Sequence, residues 1–196
     1  MLHWSSHWGT PIDGLRSSLK LDKKIYRLGE DPILTFSLQA VAEEPLAAVP
    51  PTTAKDSDFP ELLTLDFTRV RSDGKPSGFF ARIRSGRVTL PPGANEYSFM
   101  PQHKVYSAKF PVSSLEKIPP VTLDSLGESM KLAPGQYEVV AEYFIRVTTP
   151  KFSQHRIDEG PVIRLRDHGA RMWSGYHLKS NTARFTVKKA EEAPKK

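Results

Sequence analysis

The stretch that decides the fold is residues 136–147, which read QYEVVAEYFIRV. One side of this stretch carries six apolar or aromatic residues: Tyr137, Val139, Ala141, Tyr143, Ile145 and Val147. The other side carries mainly polar ones: Gln136, Glu138, Glu142 and Arg146. Because successive side chains of a β-strand point to opposite faces, the alternation predicts a long strand with one face in the core. Val140 and Phe144 interrupt the polar side and predict that part of it is covered as well.

Six shorter runs alternate in the same way. They lie at residues 15–21, 34–40, 63–67, 79–83, 106–112 and 183–187. Turn-forming Gly, Pro and Asp separate the runs, and only residues 113–117 and 124–132 could supply short helical turns. Seven strands divided by such turns are typical of a sandwich. The sequence therefore predicts an all-β fold, a two-sheet antiparallel immunoglobulin-like sandwich.

The length of 196 residues fits one domain. We expect an N-terminal arm at residues 1–11, a single β-sandwich domain at 12–188 and a disordered tail at 189–196. Residues 148–179 exceed what two neighbouring strands need as a connection, so they predict a long hairpin insertion before the last strand. Residues 43–60 contain four prolines and predict an irregular surface loop.

The composition limits the structural features, metal sites and cellular compartments that we expect for the protein. The 17 prolines favour turns and sheet edges, and the absence of Cys excludes disulfides and thiolate-bound metals. No apolar run reaches the ~20 residues of a membrane-spanning helix, and residues 1–10 lack the pattern of a signal peptide. We expect a cytoplasmic protein if Met1 is the natural start, and an extracytoplasmic one if a leader has been removed.

Three segments resemble bacterial immunoglobulin-like domains. Residues 22–30, DKKIYRLGE, resemble the Y-x-x-G-E entry to the second strand of such domains, including alpha-macroglobulin-type modules and the BsuPI-type proteinase inhibitor. Residues 132–137, LAPGQY, resemble the L-x-P-G-x-Y corner before their penultimate strand. Residues 173–187 resemble the W-x-G…S-N-x-x-x-F-x-V ending of uncharacterised domains of this group. The resemblance implies the fold and structural roles for these motifs, and it assigns no binding residue.

The sequence contains no recognisable catalytic motif. No Ser lies in a G-x-S-x-G turn, and no G-x-x-x-x-G-K phosphate loop occurs. The six histidines are dispersed: His3, His7, His103, His155, His168 and His177. His3 and His7 would meet only on a helix, which the Ser, Gly and Pro around them disfavour. We therefore predict no catalytic residue, no cofactor and no metal site, and a protein that is not an enzyme.

The tryptophans have different expected roles. Trp173 lies in the ending motif and is expected to pack against the core. Trp4 and Trp8 are expected to anchor the N-terminal arm along the sandwich, in preference to a role in recognition.

The net charge of +6 is unevenly distributed along the chain. Residues 69–87 carry six basic residues and one acidic residue, and residues 151–196 carry eleven basic and five acidic ones. The alternation places Arg82 and Arg84 on one strand face beside Phe80. Four further arginines lie among apolar residues of the 148–179 insertion: Arg156, Arg164, Arg166 and Arg171. This mixture predicts a contact surface for a protein partner with an acidic surface. The alternatives are a solvated face that protects a sheet edge, and single-stranded nucleic acid.

The leading hypothesis is a non-catalytic interaction or structural module, a component of a larger bacterial assembly. The first alternative is a proteinase inhibitor that presents a rigid Pro-containing loop, as the resemblance to the BsuPI type suggests. The second is an enzyme of unrecognised type. A fold hosts many functions, so the choice depends on the surfaces that the fold builds.

Overall fold

The computed structural model describes residues 7–51, 63–70, 75–83, 98–118, 130–144, 169–173 and 177–189. These residues form thirteen β-strands and a 3₁₀ turn at Val112–Ser114, and no α-helix occurs among them. The strands are β1 (Leu15–Leu21), β2 (Ile25–Arg27), β3 (Ile33–Ala40), β4 (Leu46–Ala48), β5 (Leu63–Val70), β6 (Pro76–Ile83), β7 (Ser98–Met100), β8 (Val105–Pro111), β9 (Leu115–Lys117), β10 (Gly135–Phe144), β11 (Arg171–Met172), β12 (His177–Lys179) and β13 (Ala183–Lys188). The prediction of an all-β fold is confirmed.

The described strands are arranged in three hydrogen-bonded sheets. A three-stranded sheet has the order β1-β3-β8. A seven-stranded sheet has the order β2-β13-β10-β5-β6-β9, with β12 pairing beside β13 on β10. A small third sheet has the order β11-β4-β7. Strand β10, the one on which the fold prediction rests, lies in the centre of the large sheet.

Two strand pairs correct the prediction of wholly antiparallel sheets. β2 runs parallel to β13, and β4 runs parallel to β11. A tight hairpin forces its two strands to be antiparallel, but the partners here lie far apart in the chain and no turn fixes their direction. The alternation of apolar residues carries no information on direction, so the sequence could not reveal these pairs.

One hydrophobic core joins the inner faces of the three-stranded and the seven-stranded sheets. Phe36 of β3 lies 6.1 Å from Tyr143 of β10 between ring centres. The face predicted to be buried on β10 is buried where it is described, at Tyr137, Val139, Ala141 and Tyr143. Ile145 and Val147 lie outside the described residues. Burial of large side chains of this kind contributes ~1.5 to 3 kcal/mol each and supplies most of the stability of the fold.

The third sheet covers one end of this core. All three residues of β4 are buried, and Trp173, directly after β11, is fully buried. The indole stacks on Tyr143 at 5.5 Å, and its Nε1–H donates to the carbonyl of Ile12 over 3.1 Å. The hydroxyl of Tyr143 donates to the carbonyl of Val49 over 2.8 Å. The prediction that Trp173 packs against the core is confirmed.

The described end of the 148–179 segment belongs to these sheets. β11 pairs with β4, and β12 pairs with β10, so the two strands do not pair with each other. Residues 148–168 and 174–176 of this segment lie outside the described residues, so the hairpin insertion stays a prediction.

The Y-x-x-G-E motif forms the turn that ends edge strand β2. Gly29 has a φ of +93°, which glycine adopts without steric cost. The Glu30 carboxylate accepts from the Arg27 N–H over 2.9 Å, and the Glu30 N–H donates to the Arg27 carbonyl over 3.0 Å. The buried Tyr26 donates its hydroxyl proton to Asp22 over 2.7 Å. The motif therefore occupies backbone groups at the edge of the sheet.

The L-x-P-G-x-Y motif forms the corner before β10. The Tyr137 hydroxyl donates to the Ala133 carbonyl, four residues upstream, over 2.7 Å. Gly135 has a φ of +157°, close to extended, and its Cβ position would lie 2.8 Å from Nε of Arg69. The tyrosine hydroxyl thus ties the corner to the backbone, and close packing against Arg69 favours glycine at this position.

The S-N pair of the ending motif connects β1 to β10. The Asn181 Oδ1 accepts from the Leu19 N–H over 2.9 Å, and its Nδ2 donates to the Leu19 carbonyl over 3.0 Å. The Ser180 Oγ accepts from the Ala141 N–H over 2.9 Å. One side-chain amide thus replaces a paired strand at this point of β1.

Candidate binding surface

The outer face of the seven-stranded sheet is a candidate binding surface. It contains Arg82, one of the predicted partner-binding residues. Residues paired across neighbouring strands share a face, so the register defines rows on it. One row runs Lys179, Glu142, Thr64, Arg82 and Glu116, and the next contains Val140, Asp66 and Phe80. The residues between these on each strand point into the core.

Ion pairs connect the strands across this outer face. Arg184 lies 2.6 Å from Glu138, Lys179 lies 2.7 Å from Glu142, and Arg82 lies 2.6 Å from Glu116. In each pair these distances join Nε or Nζ of the cation to Oε1 of the glutamate. The Arg184–Glu138 and Lys179–Glu142 pairs are largely exposed and stabilise the sheet by only ~0 to 1 kcal/mol each, whereas Glu116 is buried against Arg82. Their main effect is that this face is close to electrically balanced.

Phe80 is the large aromatic residue of this face. Its side chain is 51% exposed, although a Phe ring loses favourable burial when it stays in water. Across β5 it is paired with Asp66, and its carbonyl accepts from the N–H of Ile118 over 2.9 Å. Ile118 is also exposed, and Val140 is half-buried in the same row as Phe80. We call these three residues, Phe80, Ile118 and Val140, the Phe80 patch.

A shallow groove crosses the opposite end of the same face. Its volume is about 270 Å³, and its lining includes Lys24, Ile25, Val70, Gln136 and Arg184. Ile25 and Val70 are exposed, so part of the lining is apolar. The groove is open and contains no cluster of acid, base or nucleophile groups among its lining residues. Its chemistry suits a contact with a partner side chain better than a reaction.

The structure describes two of the six predicted partner-binding arginines. Arg82 lies on the outer face, and its partner Glu116 has a side chain that is only 7% exposed. Arg171 lies in β11, far along the chain from Arg82, and forms ion pairs with Asp13 and with Glu44. Both charges are therefore matched within the chain. Arg84, Arg156, Arg164 and Arg166 lie outside the described residues, so their role stays a prediction.

His103, His177 and Trp8 each contact a different part of the sheets. His177 stacks on Phe144 at 5.5 Å, and the His103 N–H donates to the Ala40 carbonyl. Trp8 is half-buried beneath the Arg16 guanidinium, whose carbon lies 4.8 Å from the ring centre. Within the described ranges no three His, Asp or Glu side chains gather as metal ligands. The same ranges contain no helix long and apolar enough to cross a membrane.

Three pKa shifts have structural causes near these surfaces. Burial opposes ionisation of Asp22, but hydrogen bonds from Tyr26 and from the Ile33 N–H outweigh it and lower the pKa of that carboxyl. Burial, aided by the neighbouring Asp22, raises the pKa of the Tyr26 phenol far above its usual range. The hydrogen bond to Glu142 raises the pKa of Lys179. All three groups keep their ordinary charge at neutral pH, so none is poised as a general acid or base.

Comparisons with known proteins leave the family open. No protein-family model matches the chain, and none of the curated proteins does. Among solved structures, the sporulation control protein Spo0M of Bacillus subtilis is 14% identical with a TM-score of 0.37, covering 90% of this chain and 50% of that one. The Pseudomonas fluorescens alkylpurine DNA glycosylase AlkC, bound to DNA containing an abasic site analog, is 13% identical with a TM-score of 0.36, covering 89% of this chain and 30% of that one.

A third structure is AvmM, which catalyses macrocyclization in alchivemycin A biosynthesis. It is 9% identical with a TM-score of 0.36, and the match covers 94% of each chain. The chain thus spans half the length of Spo0M and less than a third of the AlkC chain. TM-scores this low carry no argument about function.

Proposed function

We propose that this chain is a non-catalytic immunoglobulin-like module that binds a protein partner through the outer face of its seven-stranded sheet. Two features support the immunoglobulin-like assignment. The two larger sheets share one core, and the Tyr137 hydroxyl ties a corner to backbone upstream, as in the tyrosine corner of such domains.

The exposure of the Phe80 patch is the observation that carries the proposal. Apolar side chains stay in water here although the inner face of the same strands is well buried. Protein interfaces combine an aromatic anchor with a polar rim, and the ion pairs around this patch supply such a rim. A partner that covers Phe80 would bury this ring and exclude water from the neighbouring Arg82–Glu116 pair. That Arg84, Arg156, Arg164 and Arg166 add positive charge to the contact with an acidic partner stays a prediction from the sequence, since they lie outside the described residues.

The test compares Phe80→Ala with Phe99→Ala. Phe99 is a matched control because it is a similarly exposed Phe on a strand of the third sheet. Tagged wild type would first be used to isolate a partner, and its affinity for each variant would then be measured at two salt concentrations. We expect Phe80→Ala to weaken binding at least about tenfold, while Phe99→Ala binds as wild type does.

Thermal unfolding of both variants separates a lost contact from a lost fold. Equal binding by the two variants, with both folded, would place the contact surface elsewhere. A folded protein that turns over a substrate, or that blocks a protease in stoichiometric amounts, would instead support one of the two alternative functions.

A further inference from the structure

The edges of the sheets differ in how many backbone groups are occupied. β2 and β9 end the seven-stranded sheet, and each is only three residues long. Along β1, the Ser17 carbonyl accepts from the Gly9 N–H, and both backbone groups of Leu19 bond to Asn181. β8 is seven residues long, and no strand in the described part of the chain pairs with its outer edge.

The register shows which groups of β8 face outward. The N–H of Val112 donates to the carbonyl of Pro32 over 2.9 Å, and hydrogen-bonded pairs of an antiparallel ladder recur at every second residue. Tyr106, Ala108 and Phe110 therefore bond to β3. The N–H and C=O groups of the residues between them, Val105, Ser107 and Lys109, point away from the sheet. All three side chains are exposed, with Val105 at 47%.

The face beside this edge is cationic. β1, β3 and β8 contain Arg16, Lys20 and Lys109 on their outer face and no Asp or Glu. None of these three cations forms an ion pair with a carboxylate of the described residues, and Arg16 bonds to the neutral Gln39 amide. Lys104, just before β8, lies above the Tyr106 ring and so on the other side of the strand from Lys109. This face differs from the outer face of the seven-stranded sheet, where Arg184, Lys179 and Arg82 are each paired with a glutamate.

From these observations we propose that β8 is the acceptor for an extended acidic peptide, which adds antiparallel to its outer edge as a fourth strand of the three-stranded sheet. In such a strand, the residues opposite Val105, Ser107 and Lys109 exchange backbone hydrogen bonds with them. Their side chains lie on the cationic outer face and should be Asp or Glu. The residues between them lie beside Tyr106 and Phe110 and should be apolar.

Two other occupants fit less well. A second copy of the chain would place two cationic faces side by side on one continuous sheet, which like charges oppose. Nucleic acid would use the cations but leave the outward N–H and C=O groups of β8 without strand partners. The Lys residues could also serve only to protect the edge from aggregation, which is the alternative that the experiment must exclude.

The probe is a blocked seven-residue peptide of alternating Glu and Val, matched in length to β8. Two derivatives of this peptide are also made. In the first, the backbone nitrogens of all glutamates are methylated; in the second, those of all valines are methylated. Only the glutamate N–H groups face β8 in the proposed register. We expect the N-methyl-Glu peptide to bind at least about tenfold more weakly than the parent, and the N-methyl-Val peptide to bind about as well as the parent.

Protein variants provide the second arm. Lys109→Glu should weaken peptide binding about tenfold and make it less sensitive to salt, while Lys188→Glu on β13 and Phe80→Ala should leave it unchanged. Because Phe80→Ala tests the proposed function at another surface, the two proposals can fail independently.

Several outcomes would overturn the inference. If both methylated peptides bind like the parent, the attraction is charge alone and no strand is added. If the parent peptide does not bind, or a single-stranded oligonucleotide binds in its place, the cations serve another purpose. A concentration-dependent dimer that Ser107→Pro abolishes would assign the edge to a second copy of the chain.

Discussion

Strands β2 and β8 both lie at the edge of a sheet, but only β2 has outward backbone groups occupied by its own turn. In β2 the Glu30 carboxylate and N–H bond to both backbone groups of Arg27. In β8 the outward groups of three residues have no strand partner among the described residues. The closed edge depends on a motif readable in the sequence, whereas the open edge is bordered only by lysines.

The difference shows that edge protection can be achieved in two ways. A turn that bonds to the backbone of an edge residue, as Glu30 does to Arg27, makes the donor and acceptor of that residue unavailable to any partner. A lysine leaves the backbone groups available and discriminates by charge alone. The second way opposes pairing with a like-charged copy of the chain and still permits pairing with an acidic strand. An edge such as β8 can therefore resist aggregation and still bind an acidic partner.

The largest loss of stability is expected when the end of the core that the third sheet covers is disrupted. Trp173→Ala removes a fully buried indole that stacks on Tyr143 and bonds to Ile12. We expect the free energy of unfolding to fall by about 3 to 5 kcal/mol, measured by urea denaturation. Trp8→Ala is the control, since this indole is half-buried on the arm. Similar losses in both variants would contradict the assignment of Trp173 to the core.

A smaller loss of stability is expected when the side chain that bonds to the edge of β1 is removed. Asn181→Ala leaves the N–H and C=O of Leu19 without their side-chain partner, in a partly buried position. Unsatisfied groups of this kind cost about 1 to 3 kcal/mol. The neighbouring exposed residue gives the control, Thr182→Ala, which should change the urea midpoint little. An unchanged midpoint for Asn181→Ala would mean that water replaces the amide without cost.

The strands and the motif contacts show how much of the fold could be predicted from the sequence. The seven alternating runs all correspond to strands, because a half-buried strand needs period two over several residues. Tyr137 and Asn181, which lie in two of the motifs, each make a hydrogen bond to the backbone. Six strands were missed: β2, β4, β7, β9, β11 and β12. Each has only two or three residues, too few to show a period.

The candidate surfaces were less predictable for a related reason. Arg82 was expected to contribute positive charge, but Glu116 from a missed strand lies against it. The cations of the β8 face are separated widely in sequence, with Lys20 and Lys109 brought into one row by β3. Local counting of charge cannot detect such a face. Only the strand order decides which charges become neighbours and which edge stays open.

Asp22, in the turn between β1 and β2, makes the stability of the fold depend on pH. The pKa of Asp22 is lowered from its usual 3.8: desolvation opposes this shift, but the bonds from Tyr26 and from the Ile33 N–H favour the carboxylate more strongly. A lowered pKa means that the charged form stabilises the fold above the ordinary value and that this is lost as the pH falls through the folded value. Asp22→Asn should therefore be less stable than wild type at neutral pH, with a difference that narrows below about pH 4.

Urea midpoints measured across this range check the prediction. Tyr26→Phe removes the hydroxyl donor and should reduce the acid dependence in the same direction. A difference between wild type and Asp22→Asn that stays constant down to about pH 2 would show that the carboxylate charge is not involved.

The smallest effect on stability is expected at the open edge, where the effect on association should be clear. Lys104 and Lys109 are exposed and form no ion pair with a described carboxylate, so replacing both by Ser should change the free energy of unfolding by less than about 0.5 kcal/mol. The replacement removes the like-charge repulsion between two β8 edges while leaving their backbone groups available. Sedimentation velocity over a range of concentrations should then show self-association that wild type lacks. The control, with Lys188 and Lys189 both replaced by Ser, lowers the net charge equally but lies at the end of β13. If only the control pair associates, or if neither does, β8 is not an edge kept open by charge, and its contrast with β2 does not hold.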